Sequence, residues 1–233
     1  AFVMPVSAAD SQTAMSTVRA LGIISGDNAG SMNLTSNVTR AEFAKMMISA
    51  SVYKDEMGEE VASSLYSDVK KYIRVAVENG WLTGYSDGTF RPNSFIKYEE
   101  AATALLKLLG YDPSSFAGVF PSAQISKFQS LNLDDNTNLR KGSYITRNDC
   151  VNIFYNLLKA TAADGTVYAT KLGYTVDNSG NINYSSLVSG DLKGPYVFET
   201  GSIFSNIPFA AADAVIYRNG VISTSSAVQI YDV

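Results

Sequence analysis

Val38-Thr39-Arg40-Ala41-Glu42-Phe43 returns as Ile96-Lys97-Tyr98-Glu99-Glu100-Ala101 and again as Ile145-Thr146-Arg147-Asn148-Asp149-Cys150, each time at the head of an apolar stretch of helical period. The first two copies stand 58 positions apart and the last two 49, the range of a repeated supersecondary unit. Working outward, Gly22-Ile23-Ile24-Ser25-Gly26 lies over Gly80-Trp81-Leu82-Thr83-Gly84, and Gly30 lies over Gly88. The third copy reads Leu131-Asn132-Leu133-Asp134 in that place, so it rests mainly on its cap block. Three such starts imply one unit of helix, loop and helix used three times, no copy of which buries its apolar face alone.

Local chemistry specifies these helix starts. Thr39 with Glu42 reads as a capping box and Thr146 with Asp149 as a close version, predicting second helices over about 40–52, 98–109 and 147–160. First helices are expected over 11–21, stopped at Gly22, and over 69–79, capped by Asp68 and stopped at Gly80, with a linking helix over 59–65. After about residue 160 the texture changes to short β-prone runs over 166–172, 182–184, 196–198, 214–218 and 227–232. Arg218-Asn219-Gly220 is a hairpin signal, and Asp177-Asn178-Ser179-Gly180-Asn181 reads as a tight turn because Val188 stands where a calcium loop needs its glutamate. The expected fold class is therefore α+β: a mainly helical triad, then a small all-β domain. Expected boundaries are a tail or signal remnant at 1–9, repeats at 10–58, 59–112 and 113–162, and the β domain at 163–233.

Composition removes several functions. With 18 basic against 22 acidic side chains the net charge is -4, and 15 of the 18 cations precede residue 160 without forming a basic stripe, so nucleic acid is not the expected partner. The chain has no histidine, which excludes ordinary hydrolase triads and leaves no catalytic or metal site to nominate; no enzyme activity and no cofactor are expected. The Glu99-Glu100 pair sits in a first helical turn, where the helix dipole favours acids without any catalysis. Cys150, the sole cysteine, occupies an apolar helical position and reads as a buried thiol. No apolar run reaches the roughly 20 residues that span a bilayer. The opening Ala1-Phe2-Val3-Met4-Pro5-Val6-Ser7-Ala8-Ala9 resembles the tail of a secretory signal, and Val233 falls in mid-strand, so an exported and longer protein is expected.

Gly84-Tyr85-Ser86-Asp87-Gly88-Thr89-Phe90-Arg91-Pro92-Asn93 followed by Ile96, the Thr39-Arg40-Ala41-Glu42 block, and Tyr66-Ser67-Asp68-Val69 resemble the signature pieces of the S-layer homology family, over about residues 10–160. That resemblance implies three modules in a pseudo-threefold helical prism on the wall of a Gram-positive bacterium. It also implies a noncatalytic anchor that binds secondary cell wall polysaccharide, often through a pyruvate ketal. Carried over position by position, Arg40 and Arg147 match the anion-contacting arginine, Asp68 the acid that opens a repeat, and Gly26 and Gly84 the glycine a sugar approaches. Trp81 offers a flat ring face to a sugar. Lys97 replaces the expected threonine, so grooves using Arg40 and Arg147 rank ahead of one built on Lys97.

Other roles remain open at these positions. An arginine at a helix start, beside the positive dipole end, needs a compensating anion. Arg40 and Arg147 therefore either meet a ligand carboxylate, pair with an acid on a neighbouring repeat, or simply stand exposed. Trp81 either faces sugar or plugs the space between helices. For the whole chain, two alternatives stand beside the anchor: a lattice-forming surface-layer subunit that self-assembles through its β domain, and the anchor fragment of an exported enzyme.

Overall fold

A computed structural model of the chain describes residues 6–27, 30–54, 71–176, 182, 216–218 and 221–224. The described part is mainly helical: α1 (Val6–Ala20), α2 (Arg40–Ser49), α3 (Lys71–Glu78), α4 (Tyr98–Leu108), α5 (Ser122–Ser130), α6 (Arg147–Lys159) and α7 (Tyr168–Lys171). Two compact units divide the chain at residues 182 and 183.

The three cap blocks open α2, α4 and α6. Thr39 Oγ1 accepts from Glu42 N at 3.2 Å while Glu42 Oε2 accepts from Thr39 N at 2.8 Å, and Thr146 and Asp149 repeat the exchange. In the middle copy only half of it survives: Glu100 Oε2 accepts from Lys97 N, and an ammonium cannot accept in return. Immediately before each cap, the backbone joins the three copies in a closed cycle. Val38 N donates to Ile145 O at 2.9 Å, Ile145 N to Ile96 O at 3.3 Å, and Ile96 N to Val38 O at 3.0 Å. All three side chains are fully buried. Bridges Asn37 to Thr146, Thr39 to Phe95 and Lys97 to Tyr144 flank the cycle in the same order.

Helix pairing follows that cycle rather than chain order. The second helix of one copy packs on the first helix of the next, α2 on α3 and α4 on α5, and α6 closes the set by packing on α1. Below the cycle, Phe43, Ala101 and Cys150 occupy equivalent buried positions. Phe43 meets Phe154 at 5.6 Å between ring centres. Burial pushes the Cys150 thiol up, as expected of an inert core cysteine.

The loop entries are also equivalent. After α1, Gly22 turns left-handed at φ 66°, and after α3 Gly80 does so at φ 70°. The next residues, Ile23 and Trp81, donate back to Val18 and Ala76. The third copy is no exception, because Asn132 takes φ 56° after α5 and Leu133 donates to Phe128 in the same way. Asparagine is the side chain that best tolerates this conformation after glycine.

Two expectations change. α1 begins at Val6 rather than at residue 11. The strand expected over 166–172 is helix α7 instead: Tyr168 and Ala169 are adjacent and both buried, whereas neighbours on a strand point to opposite faces. Tyr168 Oη donates to the carbonyl of Ala50 at the end of α2, which anchors this turn on the helical unit. In the second unit, β1 (Ile216–Arg218) pairs antiparallel with β2 (Val221–Ser223), and Arg218 opposite Val221 is the register of a two-residue Asn-Gly connection. The expected elements at 59–65, 183–184, 196–198 and 227–232, the 177–181 turn, and Asp68 lie outside the described residues.

Replacing Ile96 by alanine should lower unfolding stability by about 2–5 kcal/mol, and Thr39→Ala by only about 0.5–2 kcal/mol, read from urea midpoints.

Candidate functional site

The residue after each cap crosses from its own helix into the next copy's loop. At the first crossing, all three guanidinium nitrogens of Arg40 are engaged. Nε donates to Phe90 O at 3.0 Å, Nη2 to Thr83 O at 2.6 Å, and Nη1 to Glu100 Oε1 at 2.7 Å. The guanidinium carbon also lies 4.5 Å from the Phe90 ring centre and 5.2 Å from that of Tyr85. The side chain is 2% exposed. Arg40 thus pairs with an acid on the neighbouring repeat, Glu100.

Arg147 repeats this at the crossing from α6 to the first loop. Nε donates to Met32 O at 2.7 Å and Nη2 to Ser25 O at 2.6 Å, the counterparts of Phe90 and Thr83. Its Nη1 lies 3.7 Å from Glu42 Oε1, a looser pair than Arg40 makes with Glu100. Arg147 is 13% exposed and lines a cavity of about 350 Å³ with Gly26, Asp27, Ser36, Glu42 and Lys45. At the remaining crossing, Tyr98 stands in the arginine position and its hydroxyl donates to Asp134 Oδ2 at 2.8 Å. Burial, then the Asp134 carboxylate, holds this phenol protonated. Where the arginine is lost the facing glutamate is lost too, since Asp149 replaces it and is spent on its own cap.

The other expected positions separate. Gly26 lines the cavity, but a Cβ there would meet the Gly30 backbone at 3.0 Å, so the loop's own closure requires this glycine. Gly84 is half-buried beside Thr83, whose carbonyl receives Arg40. Trp81 is half-buried and meets Tyr53 edge-on at 5.8 Å between ring centres. Lys97 is exposed at the start of α4 and supplies a backbone cap only. Asp87 forms a turn: Oδ1 accepts from Thr89 N and Oγ1, and Oδ2 from Arg91 Nη2. Those bonds, Thr89's first, lower its carboxyl to about 2. Sequence reading missed Glu42 and Glu100 as partners of the arginines, although both stand two residues after an arginine position in matching blocks. It also missed Lys45, whose signal was its presence on α2 where the equivalent positions hold Thr103 and Asn152.

Copies linked in a cycle, with a cavity of mixed lining where one copy's arginine meets the next copy's loop, define a module built from repeats. Residues 6–44 and 66–102 match the family model of the S-layer homology domain, and the chain carries repeats of that family. It is 29% identical over 180 residues to the middle cell wall protein of Brevibacillus brevis, covering 74% of this chain and 17% of that protein. It is 33% identical over 124 residues to a surface layer protein of Brevibacillus choshinensis, covering 50% of this chain and 11% of that relative. With cell surface glycoprotein 1 of Acetivibrio thermocellus it shares 28% identity over 120 residues, 45% of this chain and 5% of that protein. The chain thus spans under a fifth of the length of each of these relatives. The family match and these relatives place it at the cell wall and surface layer of Gram-positive bacteria. Among the described residues, no helix is long and apolar enough to cross a membrane.

Arg40→Ala should cost about 3 kcal/mol or more, since it strands a buried acceptor set, and Arg147→Ala clearly less; thermal melts of both variants check the order. Asp87 and Asp164, each lowered to about 2 from 3.8, contribute stability that is complete above the ordinary carboxylate range and lost as pH falls towards 2. Asp87→Asn should therefore flatten the acid limb of the stability profile measured by urea midpoints across pH.

Proposed function

We propose that the helical unit is a noncatalytic anchor that grips a secondary cell wall polysaccharide between its repeats and so tethers an exported protein to the wall. The repeats run over 10–58, 59–112 and 113–162, and a small β domain lies in the tail beyond them. One observation supports the reading: the cavity where Arg147 of the third copy meets the loop of the first, half-open to solvent, with Ile23, Ile24 and Met46 beside Arg147 and Lys45 in its lining. A glycan with an anionic substituent such as a pyruvate ketal fits that chemistry, because carboxylates take charge-assisted hydrogen bonds from such donors. The family match and the wall and surface-layer names of the relatives support the setting, and the lack of histidine agrees with a noncatalytic role.

Arg40 enters as the residue that shapes its groove, with Gly84 in the adjoining loop. Arg147 and Gly26 border the ligand. Trp81 and Lys97 belong to the groove walls and rim, and Asp68 is assigned, from the sequence pattern, as the acid that opens the second repeat.

A lattice-forming role is favoured by one relative's being named a surface layer protein. It predicts sheets or large oligomers on concentration, which light scattering with and without calcium distinguishes from a monomeric tether.

Purified wall polysaccharide should pull down the chain, and removing the ketal from the same polysaccharide with mild acid should weaken binding about tenfold or more. Equal binding to both forms would remove the anionic substituent from the recognition, and no binding to either would remove the anchor reading.

A further inference from the structure

We infer that residues 160–174 form a clasp that passes tension on the outgoing chain into all three second helices at once, so that pull does not peel off the third copy alone. The inference rests on the anchor reading above and goes beyond it by saying how the module bears the pull of what it holds. The backbone cycle fastens α2, α4 and α6 at their starts. Their ends are fastened by the segment that follows α6. A helix end leaves carbonyls without a partner inside the helix, and Ala50 and Leu109 are the residues that close α2 and α4. Tyr168 Oη donates to Ala50 O at 2.8 Å, and Ala163 N donates to Leu109 O at 2.9 Å. Tyr111, just past α4, donates its hydroxyl to Thr161 O at 3.0 Å. One short stretch thus meets the ends of α2 and α4 while it continues directly from α6.

The clasp is itself closed. Tyr168 N donates to Ala160 O and Ala162 N to Thr166 O, which folds 160–168 back on itself. Asp164 Oδ1 accepts from Thr166 N and Oγ1, and Asp164 Oδ2 pairs with Lys171 Nζ at 2.6 Å, tying this turn to α7. Ala160, Ala162, Tyr168 and Ala169 are buried. Past α7, the Tyr174 ring takes the Lys54 ammonium at 5.7 Å, a second contact with the stretch after α2. Pull arriving from beyond residue 176 therefore meets α7 first, and α7 leaves only by breaking the Tyr168 bond and exposing a buried ring. The closed turn behind it carries the same pull to Ala163 and Thr161, and so to α4. Without these contacts α6 would take all of it. None of the clasp residues lines the cavity at Arg147, so the device is separable from ligand contact.

Single-molecule pulling on the whole chain tests the clasp, with one handle at Val233 and the other at Ser94→Cys, an exposed site beside the cycle; Cys150 is buried and takes no handle. The lifetime of the helical unit at constant force reports its unfolding rate. Tyr168→Phe should shorten that lifetime roughly tenfold and Tyr111→Phe about threefold, because each removes a donor from a carbonyl where the pull arrives. Thr39→Ala, of comparable cost without force, should change it less than about twofold, since its cap lies at the other end of α2. Circular dichroism should show intact helices in all three, and Tyr111→Phe carries the test if Tyr168→Phe does not fold. An unchanged lifetime in Tyr168→Phe, or equal shortening in Thr39→Ala, overturns the clasp. Without load, wall polysaccharide should bind the unsubstituted chain and Tyr168→Phe equally. Loss of binding in Tyr168→Phe alone gives that residue a ligand role and overturns the clasp, whereas failure of both to bind overturns the anchor reading whatever the lifetimes.

Discussion

A closed cycle of three backbone hydrogen bonds, among Val38, Ile96 and Ile145, is the constraint on which the rest of the structure depends. Each of these residues donates to one copy and accepts from the other, so no copy completes its bonding until all three are present. Their side chains are fully buried, and a buried amide without its partner is costly. The cycle therefore fixes both the order of the copies and the distance between their helix starts. Packing of α6 on α1 is a consequence of that closure, since it joins the two ends of the repeat series.

From the same constraint follows the path of the arginines. The residue after each cap leaves the cycle pointing at the neighbour's loop, and a guanidinium there reaches two carbonyls and a glutamate. Arg40 with Glu100 and Arg147 with Glu42 are thus one interaction built twice. The third instance shows what the geometry requires: with Tyr98 in place of the arginine, the acceptor becomes Asp134 in the loop. Charge is dispensable at this place, whereas a donor long enough to cross is not.

Much of this was legible in the residues. Threonine with an acid three positions on specifies a helix start locally, and glycine after a helix specifies its stop, so α2, α4 and α6 could be placed without tertiary information. Asn132 was harder, because an asparagine that turns left-handed looks like any polar loop residue until its backbone is seen. α7 was misread for a different reason: Thr166-Val167-Tyr168 has strand propensity, and only the Ala50 carbonyl waiting for Tyr168 selects a helical turn. The direction of Arg40 was not legible at all. An arginine beside a helix tip demands an anion, and nothing local tells whether that anion arrives from a ligand or from residue 100.

That ambiguity bears on what the inward arginines can do. A ligand carboxylate could take Arg40 only by displacing Glu100, and would leave that acid without its partner close to a buried guanidinium. An exchange of one carboxylate for another gains nothing, so the inward arginines are poor instruments of discrimination. They hold carbonyls of the next copy's loop and thereby fix that loop against the helix start. At the three equivalent positions one turn into α2, α4 and α6, the fold consumes Thr103 and Asn152 on their own helices and leaves Lys45 facing the cavity. Repetition has supplied three copies of a frame, and the copies diverge in side chain at a position the frame does not use.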